Sequence, residues 1–109
     1  MIAVKDSVRF KRITPEIMYL LPVIVAVWKK YAPETVPVIT SANDSTHSAN
    51  SYHYTDYAID VRSKNLSQEQ KGSILAGVKL RLAGMNYDVI LESPGSENEH
   101  FHIEFNARQ

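Results

Sequence analysis

The closing stretch His100-Phe101-His102-Ile103-Glu104-Phe105 alternates polar and apolar residues without a break. Successive side chains of a strand point to opposite faces, so His100, His102 and Glu104 share one face while Phe101, Ile103 and Phe105 share the other. The aromatic face packs inward, and the histidine face is left for chemistry. In a strand that is regular from its first residue, Glu99 would point away from the histidines; it joins them only if the preceding loop turns it back.

Other segments supply what this strand packs against. Tyr87 to Glu92 reads as a second strand, joined to the first through the turn-rich Ser93-Pro94-Gly95-Ser96, and the two should pair as an antiparallel hairpin. Tyr57 to Arg62 alternates and reads as a strand. The β-branched run Val36 to Thr40 reads as another, followed by the polar loop Ser41 to Ser51. Thr14-Pro15-Glu16 is a helix start, with a capping hydroxyl, a proline at the first helical position and an acid at the positive end of the dipole. Ile17, Leu20, Leu21, Ile24, Val25 and Trp28 continue at helical spacing, predicting a helix to about Tyr31, before Pro33. Pro22 removes one backbone bond inside it, and a kink or split is expected there. Ser67 with Gln70 forms a capping box for a second helix, whose apolar positions Ile74, Leu75, Val78 and Leu82 precede a stop at Gly84. The expectation is one α+β domain over residues 1–109, a small antiparallel sheet with helices on one side and the histidine face on the other.

Composition narrows the chemistry. Lys plus Arg and Asp plus Glu balance at 12 each, so no overall field draws the chain to nucleic acid or anionic lipid. Cysteine is absent, which rules out disulfides, thiolate catalysis and sulfur ligation; any metal must use imidazole and carboxylate. Met1 to Arg12 carries charge from Lys5 onward and does not read as a secretory signal. The longest apolar stretch, Ile17 to Trp28, is too short to span a bilayer. The expectation is synthesis in the cytoplasm without stable membrane insertion.

The stretch Ser51-Tyr52-His53-Tyr54-Thr55-Asp56-Tyr57-Ala58-Ile59-Asp60 holds one imidazole and one carboxylate seven positions apart. By themselves they read as a loop histidine and a strand aspartate making ordinary hydrogen bonds. Joined to an imidazole from the closing strand they read as three ligands with one position open for water, the pattern of a catalytic zinc. A second arrangement is also open: His100 and His102 converge on one face and could both bind a single ion, closing the site to water. His47 reads as a loop residue near the cleft, and Glu92 and Glu104 read as ordinary strand carboxylates.

These residues resemble the zinc D-alanyl-D-alanine and L-alanyl-D-glutamate peptidases, which share a fold with the Hedgehog signalling domain. The first stretch is similar to their serine, histidine, glycine, alanine, aspartate signature, and Glu99-His100-Phe101-His102 to their second motif. The segment from Ile39 through Asp44, His47 and Ser48, with Arg62 after Asp60, resembles the small phage and prophage members. The resemblance implies zinc ligands His53, Asp60 and His102, a general base at Glu99, and a His100 that orients water or steadies the oxyanion. It implies substrate contacts at Ser51, Arg62 and His47. Two positions depart from the pattern: Asp56 stands where the signature has glycine, and Asp44 lies near where many relatives carry a substrate-binding arginine.

The implied function is a zinc peptidase of bacterial peptidoglycan, cutting the L-Ala-D-Glu bond of the stem peptide or, second, a bond involving D-alanine. A monomeric phage or prophage endolysin acting at the cell wall is the implied setting. Two other classes compete: a metal-containing module of the same fold that binds without hydrolysis, and a metal-free structural protein of a virion.

Overall fold

The computed structural model describes residues 1–8, 10, 13–42 and 57–106. Its elements run β1 (Ala3–Val4), α1 (Pro15–Tyr31), β2 (Val38–Ser41), β3 (Ala58–Arg62), α2 (Gln68–Arg81), β4 (Tyr87–Glu92) and β5 (His100–Phe105). The strands form one mixed sheet in the order β1-β2-β3-β5-β4.

Helix starts follow their caps. The Ile17 N–H donates to Thr14 Oγ1 at 3.3 Å, with Pro15 at the first helical position, where no intrahelical bond is lost. At α2 the capping box closes in both directions, Gln70 N–H to Ser67 Oγ at 3.1 Å and Ser67 N–H to Gln70 Oε1 at 2.9 Å. Gly84 follows α2 with φ of 79°, a left-handed conformation that costs glycine little. The helices approach closely at Gly77, where an added Cβ would stand 3.0 Å from the Tyr31 ring.

The expected split at Pro22 does not occur: α1 is continuous from Pro15 to Tyr31. Pro22 and Met18, whose carbonyl loses its partner, both lie on the exposed face, where water can replace the bond. Meanwhile Ile17 and Leu20 before the proline, and Val23, Ile24, Val27 and Trp28 after it, are buried in one cluster. Packing on both sides holds the helix together across the missing bond.

The expectation of a purely antiparallel sheet is also corrected. β1 runs parallel to β2, tied by Ala3 N–H to the Pro37 carbonyl at 2.8 Å and Lys5 N–H to the Ile39 carbonyl at 2.9 Å. The apolar residues Met1 to Val4 are too few to announce a strand; backbone hydrogen bonds and the packing of Ile2 against the core recruit it. The remaining pairs, β2 with β3, β3 with β5 and β5 with β4, are antiparallel. β2 itself begins two residues later than its β-branched run suggests, beyond Pro37, which has no N–H for a ladder.

Ile39, Ile59, Val61, Val89, Phe101 and Ile103 of the sheet pack in one cluster with the buried face of α1 and with Ile74 and Val78 of α2. The Trp28 ring meets the Phe101 ring nearly edge-on, centroids 5.6 Å apart. Both helices therefore cover one face of the sheet. Alternation sends the intervening residues to the opposite face. No helix among the described residues is long and apolar enough to cross a membrane.

Candidate metal centre

The antiparallel register arranges the uncovered face in rows. Arg62 of β3, His100 of β5 and Glu92 of β4 stand opposite one another in one row; Asp60, His102 and Ile90 form the next; Ala58, Glu104 and Asp88 the third. Directly opposed residues have Cβ atoms about 5 Å apart, close enough for short polar side chains to meet. The face thus gathers residues separated by more than 30 positions in sequence, which no local pattern could bring together.

Asp60 and His102 are the centre of the cluster. His102 Nδ1–H donates to Asp60 Oδ1 at 2.9 Å and its Nε2–H to Glu104 Oε1 at 2.7 Å. His100 Nε2 lies 3.2 Å from Glu92 Oε1 and 3.5 Å from Asp60 Oδ1. One ligand-type atom from each of Asp60, Glu92, His100 and His102 lies within 4.8 Å of the others. The His102 and Asp60 side chains are only 12% and 15% exposed, so their polar atoms are poorly hydrated and depend on one another.

Burial works against a charged His102 ring, but the hydrogen bonds and negative charges of Asp60 and Glu104 outweigh it and lift the imidazole to about 9. Without an ion, a carboxylate at each ring nitrogen favours the imidazolium, so a metal bound at His102 would have to displace one of these protons from its carboxylate partner. His100 is oriented differently: its Nδ1 is 2.7 Å from the Asn98 carbonyl, which can only accept, so that nitrogen carries the proton and Nε2 faces the cluster. Two imidazoles and several carboxylates, converging on a partly buried patch without sulfur, suit a divalent cation with nitrogen and oxygen ligands. The donor set fits zinc as well as other first-row ions.

Of the residues singled out from sequence, Asp60, His100 and His102 come together here. His53, His47 and Ser51 lie outside the described residues, as do Asp44 and Asp56. Glu92 and Glu104 are not the ordinary strand carboxylates expected: the first joins the cluster and the second holds His102 Nε2. Pairing Tyr87–Glu92 with His100–Phe105 as a hairpin, and counting residues outward from the turn, would have placed Glu92 beside His100. Tyr57 packs its ring against Phe105, centroids 5.9 Å apart.

Glu99 has a different environment from the one expected of a base. Its Oε1 lies 2.6 Å from Lys71 Nζ and accepts from Ser63 Oγ–H at 2.7 Å, while Oε2 accepts from the Gly95 N–H at 2.9 Å. The Lys71 ammonium first, then the Gly95 and Ser63 donors, hold this carboxyl down at about 2 despite its burial. A carboxyl lowered in the folded state stabilises it fully above the ordinary value of 4.5, and that contribution disappears as pH falls towards about 2. Wild type should therefore lose more thermal stability across that interval than Glu99→Gln, which has no carboxylate to titrate. Melting curves with equal acid slopes for the two would refute this.

Beside the cluster lies a cleft of ≈ 260 Å³ lined by Asp60, His100, Arg62, Lys5, Lys64 and the 97–99 segment. No ion pair joins Lys5, Arg62 or Lys64 to an acid among the described residues. The cleft thus places Lys5, Arg62 and Lys64 together with the carboxylates of Glu97 and Glu99 next to the metal-type cluster. No family model matches the chain, and no curated protein matches it.

Proposed function

We propose that the chain is a zinc-dependent peptidoglycan peptidase with the Hedgehog/DD-peptidase fold. It hydrolyses an amide of the cell-wall stem peptide, the L-Ala-D-Glu bond first and a D-Ala bond second, as a phage or prophage endolysin. The observation that carries this reading is the convergence of Asp60, His102, His100 and Glu92 on the uncovered sheet face next to a cleft lined by both cations and carboxylates.

Asp60 and His102 would hold the ion, with His53 as the third ligand that the sequence resemblance supplies. Bound there, a divalent metal contributes Lewis acidity at the scissile carbonyl and acidifies a water nucleophile. The protein's own groups do the rest. Arg62, with Lys5 and Lys64, would anchor a carboxylate of the stem peptide. His100 presents Nε2 towards the reacting side while the Asn98 carbonyl fixes the ring, so it is placed to take a proton and return it to the leaving amine. Glu92, 3.2 Å away, would stabilise the imidazolium formed in between.

A metal-containing module that binds wall peptide without cutting is favoured by one feature, the engagement of both Glu99 oxygens. Incubating purified peptidoglycan with the zinc-loaded protein and identifying newly freed amino termini separates the two. New D-Glu or D-Ala amino termini that vanish with chelator and return with zinc support hydrolysis. Wall binding with no new termini from zinc-loaded protein would establish the non-catalytic reading.

A further inference from the structure

We infer that Glu99 is a positioning residue, not a base: with Lys71 and Ser63 it forms a buried clamp that sets the His100 imidazole in the metal centre. This rests on the metal-centre reading above and specifies how that site is held.

The clamp joins three parts of the fold. Ser63 follows β3, Lys71 lies in the first turns of α2, and Glu99 ends the loop between β4 and β5. All three residues are buried, the Lys71 and Glu99 side chains being 11% and 5% exposed. Lys71 and Ser63 occupy Oε1 and the Gly95 N–H occupies one side of Oε2, so three donors from three segments hold this carboxylate in place.

The clamp reaches the metal centre through the loop. Glu99 draws the Gly95 N–H onto its own Oε2, and Glu99 N–H bonds the Ser96 carbonyl at 3.2 Å, closing the loop on itself. Gly95 has φ of 81°, a conformation that admits this return without the strain a side chain would add. Asn98 N–H is held by Ser96 Oγ at 3.1 Å, and the Asn98 carbonyl then receives His100 Nδ1. Release of Glu99 frees the Asn98 carbonyl, and the His100 ring loses the contact that aims Nε2 at Asp60 and Glu92.

The test is Co²⁺ titration of wild type, Lys71→Met, Glu99→Gln and the double variant, followed by visible absorption, together with amide exchange at Gly95. Ser63→Ala, which keeps the ion pair, serves as the milder variant if the others fold poorly. The clamp predicts that each single change weakens Co²⁺ binding by about 10- to 100-fold, because the His100 ring it aims stands 3.5 Å from the ligand oxygen of Asp60 and loss of supporting groups around ligands has that effect. It also predicts a shifted absorption spectrum at saturation, lost Gly95 protection, and a double variant no worse than the worse single one. Glu99→Gln with wild-type Co²⁺ affinity, spectrum and Gly95 protection would overturn it, as would Lys71→Met without effect. If wild type bound no Co²⁺, the metal reading and with it the link to His100 would fall; Gly95 exchange would still report whether the clamp holds the loop.

Discussion

Replacing His102 with alanine is expected to weaken divalent-metal binding at least about 100-fold, equivalent to roughly 2.7 kcal/mol, and to eliminate metal-dependent hydrolysis. His102 is the residue around which the cluster is organised, touching Asp60 and Glu104 and lying 3.3 Å from Glu92. No other residue in its row brings an imidazole, because its neighbours across the sheet are Asp60 and Ile90. The side chain faces away from the apolar cluster, so the variant should still fold.

Saturating metal provides an independent reading. An ion present at about a hundredfold over its Kd should stabilise wild type by about 2.7 kcal/mol and His102→Ala by no more than about 0.4 kcal/mol. Equal metal-induced shifts in melting temperature would place the ion elsewhere. His53→Ala in the same titration identifies the ligand set: a loss equal to that of His102→Ala makes His53 a ligand. Wild-type affinity would leave Asp60, Glu92, His100 and His102 as the full set.

Phe101→Ala should be the most damaging change to stability. The side chain sits in the interior strand β5 between Val61 and Leu91, is 1% exposed and packs edge-on against Trp28. Truncating a buried phenylalanine removes its transfer free energy and leaves a cavity, a loss of about 3–5 kcal/mol. Against a total of about 5–15 kcal/mol, that consumes much of the folding free energy. At roughly 4 °C per kcal/mol for a domain of this size, the midpoint should fall by about 12–20 °C. Urea denaturation is the direct check; a loss below about 1 kcal/mol would show that Phe101 is not central to the core. His102→Ala beside it should lose metal and keep its fold, although the two residues are neighbours in sequence.

That contrast follows from strand alternation, and alternation was readable in advance. His100 to Phe105 declared its two faces, and the hairpin with Tyr87 to Glu92 followed from the turn residues between them. The caps at Thr14 and Ser67 placed both helix starts, because capping depends on residues within one turn. Pro22 does not split the helix because a local rule about one hydrogen bond met burial on both sides of the bond. β1 went unseen because a strand of two residues is too short to show a period.

The candidate site divides in the same way. Asp60, His100 and His102 were identifiable because residue type and spacing carry chemistry, whereas Glu92 became part of the cluster only when β4 met β5 in a particular register. Glu99 shows the limit most sharply. Its distance from His102 in sequence suited a base, but Lys71 and Ser63, from a helix and a strand end, occupy its oxygens.

The sequence alone determined which residues alternate, where helices begin, and that any metal must be held by nitrogen and oxygen, since these depend on side-chain chemistry and near neighbours. The tertiary structure alone decided who stands opposite whom. Hydrogen-bond register and buried ion pairing join distant segments, and their energies depend on distances that no linear pattern contains.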